Sequence, residues 1–225
     1  MTQAIIFDCD GVLVDSESLS VVALQDMLAD LGAPMPELEV YDRFLGTSVS
    51  HEVEWLRDNR GIDLTPHLDD YGARLAQAFR DGLRPIPGIA DALARIGPRR
   101  RAVASSSQPE RLRLTLGLTG LWDGFAPHVY SASMVARGKP APDLFLLAAG
   151  RLGAEPADCV VIEDSPAGIR AARAAGMRVI GFLGGSHAGP ARLAERLAAL
   201  APDALVEHAA DLPETLARMA RSETR

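Results

Sequence analysis

The chain has 225 residues, 48% hydrophobic and 24% charged, enough for a sizeable core built as one large domain or as a core with an insert. Its 30 acidic against 23 basic residues leave a formal charge of -7, which argues against nucleic acid and against an anionic membrane as partners, because both need a basic footprint. No apolar run reaches the ~18 residues of a spanning helix, and no charged region followed by an apolar one opens the chain, so a cytoplasmic protein without a signal peptide is expected.

The first element is the apolar run Ile5-Ile6-Phe7, which reads as a buried parallel strand, followed by Asp8, Asp10 and a sharp turn at Gly11. Ser16 is expected to cap a helix running to about Leu31, closed by Gly32-Ala33-Pro34. Up to residue 83 only helical periodicity follows: Leu38, Val40, Phe44 and Leu45 in one helix, Val49, Val53, Trp55 and Leu56 in a second, Leu68, Tyr71, Leu75 and Phe79 in a third. From Leu83-Arg84-Pro85-Ile86-Pro87-Gly88, a return hinge, strands and helices alternate. Helices are predicted at 89–96, 110–116, 142–152, 167–175 (with Gly176 ending it), 190–200 and from 213, and strands at 101–104, 128–130, 159–162, 178–182 and 204–206. The alternation means a doubly wound parallel α/β sheet; the all-helical stretch makes 16–83 an inserted cap domain on a core of 1–15 and 84–225. Cys9 and Cys159 fall in or beside strands and read as buried thiols. Residues 222–225 are expected to fray.

Ligands of open α/β sheets lie beyond the carboxyl ends of the strands, so the polar residues there are the candidates for chemistry. Asp8 and Asp10 repel each other unless a cation such as Mg2+ lies between them; the alternative is a turn with Asp8 capping and Asp10 solvated. The loop Ser105-Ser106-Ser107-Gln108-Pro109 offers hydroxyls and N–H groups to a phosphate, or simply caps a helix. Lys139, in Gly138-Lys139-Pro140, is either a fixed cation or a solvated charge. Glu163-Asp164 supply a second acid pair, although Asp164 or Ser165 would also serve as a helix cap. The five histidines have no ligand spacing, so no zinc site is expected. Neither Gly-x-Ser-x-Gly nor Gly-x-Gly-x-x-Gly occurs, against a serine hydrolase and a dinucleotide enzyme. The loop Gly184-Gly185-Ser186-His187 is read as a plain turn or as part of the rim of a site.

The order Asp8-x-Asp10-Gly-Val-Leu-Val-Asp-Ser, Ser105, Gly138-Lys139-Pro140-Ala141-Pro142-Asp143 and Val161-Ile162-Glu163-Asp164-Ser165-Pro166 resembles the motifs of the haloacid dehalogenase-like hydrolases over nearly the whole chain, with a type 1 cap. The resemblance implies that Asp8 is the nucleophile of an aspartyl-phosphate and Asp10 the general acid/base. It implies Mg2+ on Asp8, the Asp10 carbonyl and Asp164, with Glu163 on a metal-bound water. Ser105, Ser106 and Lys139 would hold phosphoryl oxygens. Dehalogenases of this kind lack the second aspartate, so a phosphatase is expected. Sugar phosphomutases are the nearest alternative, but carry His where Ser20 stands and cations where Leu45 and Val49 stand. In the cap, Arg43 and Gly46 are candidates for contacting the substrate, although Arg43 also fits a solvated helix face. The implied partner is a small phosphorylated metabolite, a sugar phosphate first, with a monomer or else a dimer acting on it. A phospho-acceptor switch or a non-catalytic phosphometabolite binder is the reading from another class.

Overall fold

A computed structural model describes residues 4–97 and 99–221; the expected fraying of 222–225 lies outside them. Six parallel strands form one sheet, in the order β3-β2-β1-β4-β5-β6. They are β1 (Ala4–Phe7), β2 (Arg101–Ser105), β3 (Val129–Ser131), β4 (Cys159–Glu163), β5 (Arg178–Phe182) and β6 (Ala204–Val206). β1 lies mid-sheet, with Phe7 beside Val103 of β2 and Ile162 of β4. All four of its residues are buried, as a strand covered on both faces requires. Each such apolar side chain removed from water contributes about 1.5–3 kcal/mol.

Residues 17–82 hold four helices and no strand: α1 (Glu17–Asp30), α2 (Glu37–Phe44), α3 (Val49–Arg60) and α4 (Leu68–Gly82). α1 packs on α2 and α4, and the Phe44 ring meets Trp55 edge-on at 5.4 Å, tying α2 to α3. The chain enters and leaves this helical segment through adjacent stretches, where Asp15 N–H donates to Arg84 O and Ile86 N–H to Leu13 O. The core helices are α5 (Ile89–Ile96), α6 (Pro109–Leu118), α7 (Asp143–Leu152), α8 (Pro166–Ala174), α9 (Leu193–Ala198) and α10 (Leu212–Arg221). α7 packs on β1, β2 and β3 and α8 on β4 and β5, while α5 pairs with α10. Cys9 and Cys159 are free, buried thiols.

Two local expectations change. α1 begins where predicted, but Ser16 makes no side-chain cap; its hydroxyl turns back and donates to Asp10 Oδ1 at 2.6 Å, because a buried carboxylate is the stronger acceptor. α9 is shorter than 190–200, since tight turns at Gly189 and Arg192, the latter at φ 51°, delay its start. No described helix is long and apolar enough to cross a membrane.

Candidate active site

β1 and β4 are neighbours whose connections leave in opposite directions, so the groove beyond their carboxyl ends is where a site can open. Asp8 stands one residue past β1, and Glu163 closes β4 with Asp164 next. All three are buried, and an oxygen from each lies within 4.8 Å of the others. Gly11 lets them approach. It turns the chain at φ 74°, and a Cβ there would lie 1.8 Å from Asp164 Oδ2.

Lys139 threads into this cluster with its side chain 1% exposed and donates to Asp8 Oδ1 at 2.8 Å and Glu163 Oε1 at 3.4 Å. Its stem runs by Phe145, with the ammonium 5.0 Å from the ring centroid. Burial disfavours that charge, but Asp8 and Glu163 outweigh burial and hold the ammonium above its ordinary pKa. One cation does not balance three acids. Burial, followed by the charge of Asp8, pushes Glu163 and Asp164 well above the carboxylate range. Burial also raises Asp8, Lys139 opposes it, and Asp10 adds to the rise. Glu163 Oε2 and Asp164 Oδ2 are buried without a hydrogen-bond partner. A set of carboxylate oxygens with unsatisfied valence and excess negative charge fits a hard divalent cation.

Asp10 has the opposite environment. Its Oδ1 accepts from Ser16 Oγ and from Arg111 at 2.9 Å, and its Oδ2 from Ser107 Oγ at 2.7 Å and Ser105 Oγ at 3.4 Å. Burial would raise its pKa, but Arg111 and the hydroxyls prevail and hold the carboxyl below the usual range. Two aspartates, two residues apart, are thus driven in opposite directions by their surroundings.

A family model described as haloacid dehalogenase-like hydrolase matches residues 2–176. The chain belongs to the haloacid dehalogenase-like hydrolases. It is 33% identical to the fructose-1-phosphate phosphatase of Escherichia coli over 78% of this chain and 94% of that one. To the 6-phosphogluconate phosphatase of the same organism it is 29% identical, over 84% and 86%. A crystal structure of a haloacid dehalogenase-like protein from Agrobacterium tumefaciens superposes with a TM-score of 0.83 at 38% identity, covering 98% of this chain and all of that one.

In this hydrolase, Asp8, Lys139, Glu163 and Asp164 are drawn together, and Asp10 and Ser105 meet one shell away. The Ser106 hydroxyl donates to Gly46 O at 3.0 Å, so it bridges to the helical segment. Gly46, at φ 73°, presses on Ser165, where a Cβ would come within 2.4 Å of the serine Cβ. Arg43 is exposed on α2 with its guanidinium 5.3 Å from the Trp55 ring centroid. Ser165, not Asp164, caps α8: its hydroxyl accepts from Gly168 N–H and donates to Glu163 Oε1 at 2.6 Å.

His187 lies in a turn, closed by Ala188 N–H donating to Gly185 O, but its ring points inward rather than to the rim. It is fully buried with Nε2 2.8 Å from Asp164 Oδ2, though not aligned for a hydrogen bond, and burial lowers its pKa, so the ring is neutral. The glycines before it allow the burial, since a Cβ on Gly185 would lie 2.4 Å from the ring. Sequence reasoning also missed Arg111 and named Ser107 only as part of the serine loop. Arg111 lies in the first turn of α6, and a basic residue at the start of the helix behind a serine loop is the signal that could have found it.

Two cavities adjoin the site and share Thr47, Ser106 and Gln108. One, of about 490 Å³, reaches Lys139; the other, of about 300 Å³, reaches Ser107 and Arg111 beside Asp10. Glu17, 9% exposed at the foot of α1, is pushed up to about 8 by burial and by Asp10 and Asp164. It therefore keeps in the folded state a proton that the unfolded chain releases near 4.5. Its contribution to stability falls as pH rises from about 4.5 to 8, by roughly 1 kcal/mol for each pH unit in that window. Glu17→Gln is expected to raise the Tm at pH 8 in EDTA and to flatten that slope. Thermal melts at pH 5 and 8 check it, and an unchanged slope would count against it.

Proposed function

We propose that this hydrolase is a Mg2+-dependent phosphatase that removes phosphate from a small phosphorylated metabolite, in the first instance a sugar phosphate, through an aspartyl-phosphate on Asp8. The observation that carries this is Asp8 itself: a buried carboxylate at the end of the central strand, oriented by Lys139 and grouped with Glu163 and Asp164. The phosphatase names of two relatives point the same way. Residues 16–83 act as the cap, with 1–15 and 84–225 as the catalytic core, and the protein works in the cytoplasm.

Asp8, Asp164, the Asp10 carbonyl and Glu163, the last directly or through water, would hold the ion. When bound, Mg2+ supplies positive charge against the phosphoryl oxygens and draws the acids to their ionised forms. An Asp8 oxygen attacks phosphorus while the bond to the leaving oxygen breaks, and Asp10 gives that oxygen a proton. Asp10 then takes a proton from water, whose oxygen displaces Asp8 and frees inorganic phosphate. Lys139 and the Ser105 and Ser106 groups hold phosphoryl oxygens throughout. Because Arg111 keeps Asp10 ionised at rest, the proton that Asp10 passes to the leaving oxygen must first reach it from the substrate's phosphate monoanion or from solvent, while Arg111 loosens its hold.

A mutase is disfavoured by Ser20, whose hydroxyl donates to Ser16 O and accepts from Arg111. The test is release of inorganic phosphate from a panel of sugar phosphates, expected with Mg2+, stopped by EDTA and restored by added Mg2+. Isomerisation of glucose 1-phosphate without phosphate release would establish the mutase instead. A single stoichiometric phosphorylation would establish a switch.

A further inference from the structure

The turn after β5 sends one polar side chain inward. His187 is fully buried, with Nε2 2.8 Å from Asp164 Oδ2. The contact lies off the line of a hydrogen bond, and neither ring nitrogen has another partner. Burying an unpartnered N–H is unfavourable, and leucine or phenylalanine would fill the same volume without that cost. His187 does not belong to the grouping of Asp8, Glu163 and Asp164, whose oxygens lie within 4.8 Å of one another. It stands beside one of the three.

The backbone around the ring leaves room for this approach. A Cβ on Gly185 would lie 2.4 Å from the ring, and one on Gly11 would lie 2.7 Å from it and 1.8 Å from Asp164 Oδ2. Side chains at either position are therefore excluded, and the Asp164 oxygen is confined between the Gly11 backbone and the imidazole. The loop itself is held on both sides of the ring. Ser186 donates from its N–H and from its hydroxyl to Asp15 Oδ1, each at 2.9 Å, and Ala191 N–H donates to His187 O at 2.8 Å. A pinned loop thus delivers the imidazole to Asp164.

We infer that His187 is a positioning residue for the divalent ion: its Nε2–H holds the Asp164 carboxylate in the orientation in which that carboxylate meets the metal. The inference rests on the proposed metal set and extends it to a residue outside the ligands. Carboxylates that ligate metals are themselves hydrogen-bonded, and loss of such an outer partner typically weakens binding about 10–100-fold. An ionised Asp164 offers only acceptor oxygens, so the ring nitrogen 2.8 Å away must carry the proton. Nδ1, without a partner, is then the bare nitrogen of the neutral ring. The distance is already that of a charge-assisted hydrogen bond, and rotation of the carboxylate about its last bond supplies the alignment.

The experiment titrates Mg2+ calorimetrically into the full chain after its metal has been stripped with EDTA and dialysed away. His187→Phe, which fills the space without a donor, should raise the Kd for Mg2+ about ten-fold or more. His187→Gln, which keeps an N–H donor, should hold the Kd within about three-fold of the parent. Should a thermal melt show that His187→Phe does not fold, the parent's own imidazole decides. Nitrogen-15 NMR of the Mg2+-loaded protein, assigned by the signal lost in His187→Gln, should then place the proton on Nε2. An unchanged Kd in His187→Phe, equal weakening in both variants, or a proton on Nδ1 would overturn the inference and leave the Mg2+-dependent phosphatase standing. A parent that binds no Mg2+ would overturn both.

Discussion

Asp8→Asn is expected to abolish phosphate release, by at least about 10⁴-fold, because no other group in the cluster occupies a nucleophile's position at the end of β1. The exchange is nearly isosteric, and it replaces a carboxyl that burial holds above its usual range by an uncharged amide, so the fold should survive without loss of stability in metal-free buffer. Metal binding should weaken, since one of three clustered carboxylates is gone. A phosphate-release assay, with a thermal melt run with and without Mg2+, checks both halves. The parent should also carry an acid-stable, hydroxylamine-sensitive phosphate on Asp8 after a rapid quench, and the variant should not. Turnover within a factor of ten of the parent would end the aspartyl-phosphate mechanism, whatever the melt shows.

Lys139→Met should be the most damaging exchange of a single cation. The ammonium is buried between Asp8 and Glu163, and removing one member of a buried ion pair typically costs about 3–5 kcal/mol. For a chain of this size that is a fall in Tm of roughly 6–20 °C in EDTA. Methionine retains much of the stem's volume beside Phe145, so the loss reports charge more than packing. Glu163 and Asp164 already have raised pKa values, and a group that holds its proton longer when folded makes stability fall as pH rises above the unfolded carboxylate range. The gap between variant and parent should therefore be small near pH 5 and widen toward pH 8. Mg2+ binds the folded form and restores positive charge, so it should raise the Tm of the variant more than that of the parent. Phosphate release should fall by about 10³-fold or more, as the transferring group loses a preorganised cation. A Tm shift below about 2 °C at pH 8 in EDTA would mean that the ion pair is not what holds this cluster.

The two exchanges separate what the cluster does from what it costs. On the proposed mechanism Asp8 would contribute the reacting bond at little expense to the fold, whereas Lys139 would orient that bond and offset the charge of three buried acids. Arg111 plays the corresponding part for Asp10. Each aspartate thus has its own cation, Lys139 from a turn before α7 and Arg111 from α6.

Strand and helix periods, read in order, were enough for the parallel sheet and the four-helix insert, because a doubly buried strand must be apolar throughout and an amphipathic helix must repeat every three or four residues. The paired acids and the serine loop were legible because each stands at the end of such a strand, where the fold class locates ligands, whereas Lys139, well past the end of β3, was legible only from its Gly138-Lys139-Pro140 motif. What these residues touch was not legible. Ser16 occupied the right position for a cap, and only its proximity to a buried carboxylate turned it toward Asp10. His187 lacked any ligand spacing in sequence, yet the turn at Gly185 buries it against Asp164, 23 residues back in the chain. Arg111 carried no signal in the sequence beyond its place at the start of a helix; only the packing of α4 against α6 put Phe79 against its guanidinium. Periodicity is a property of neighbours along the chain, so sequence alone determined the elements and the strand ends. Partnership between charges depends on burial and on distances across the sheet, which only the folded packing of α4, α6 and the 184–187 loop decided.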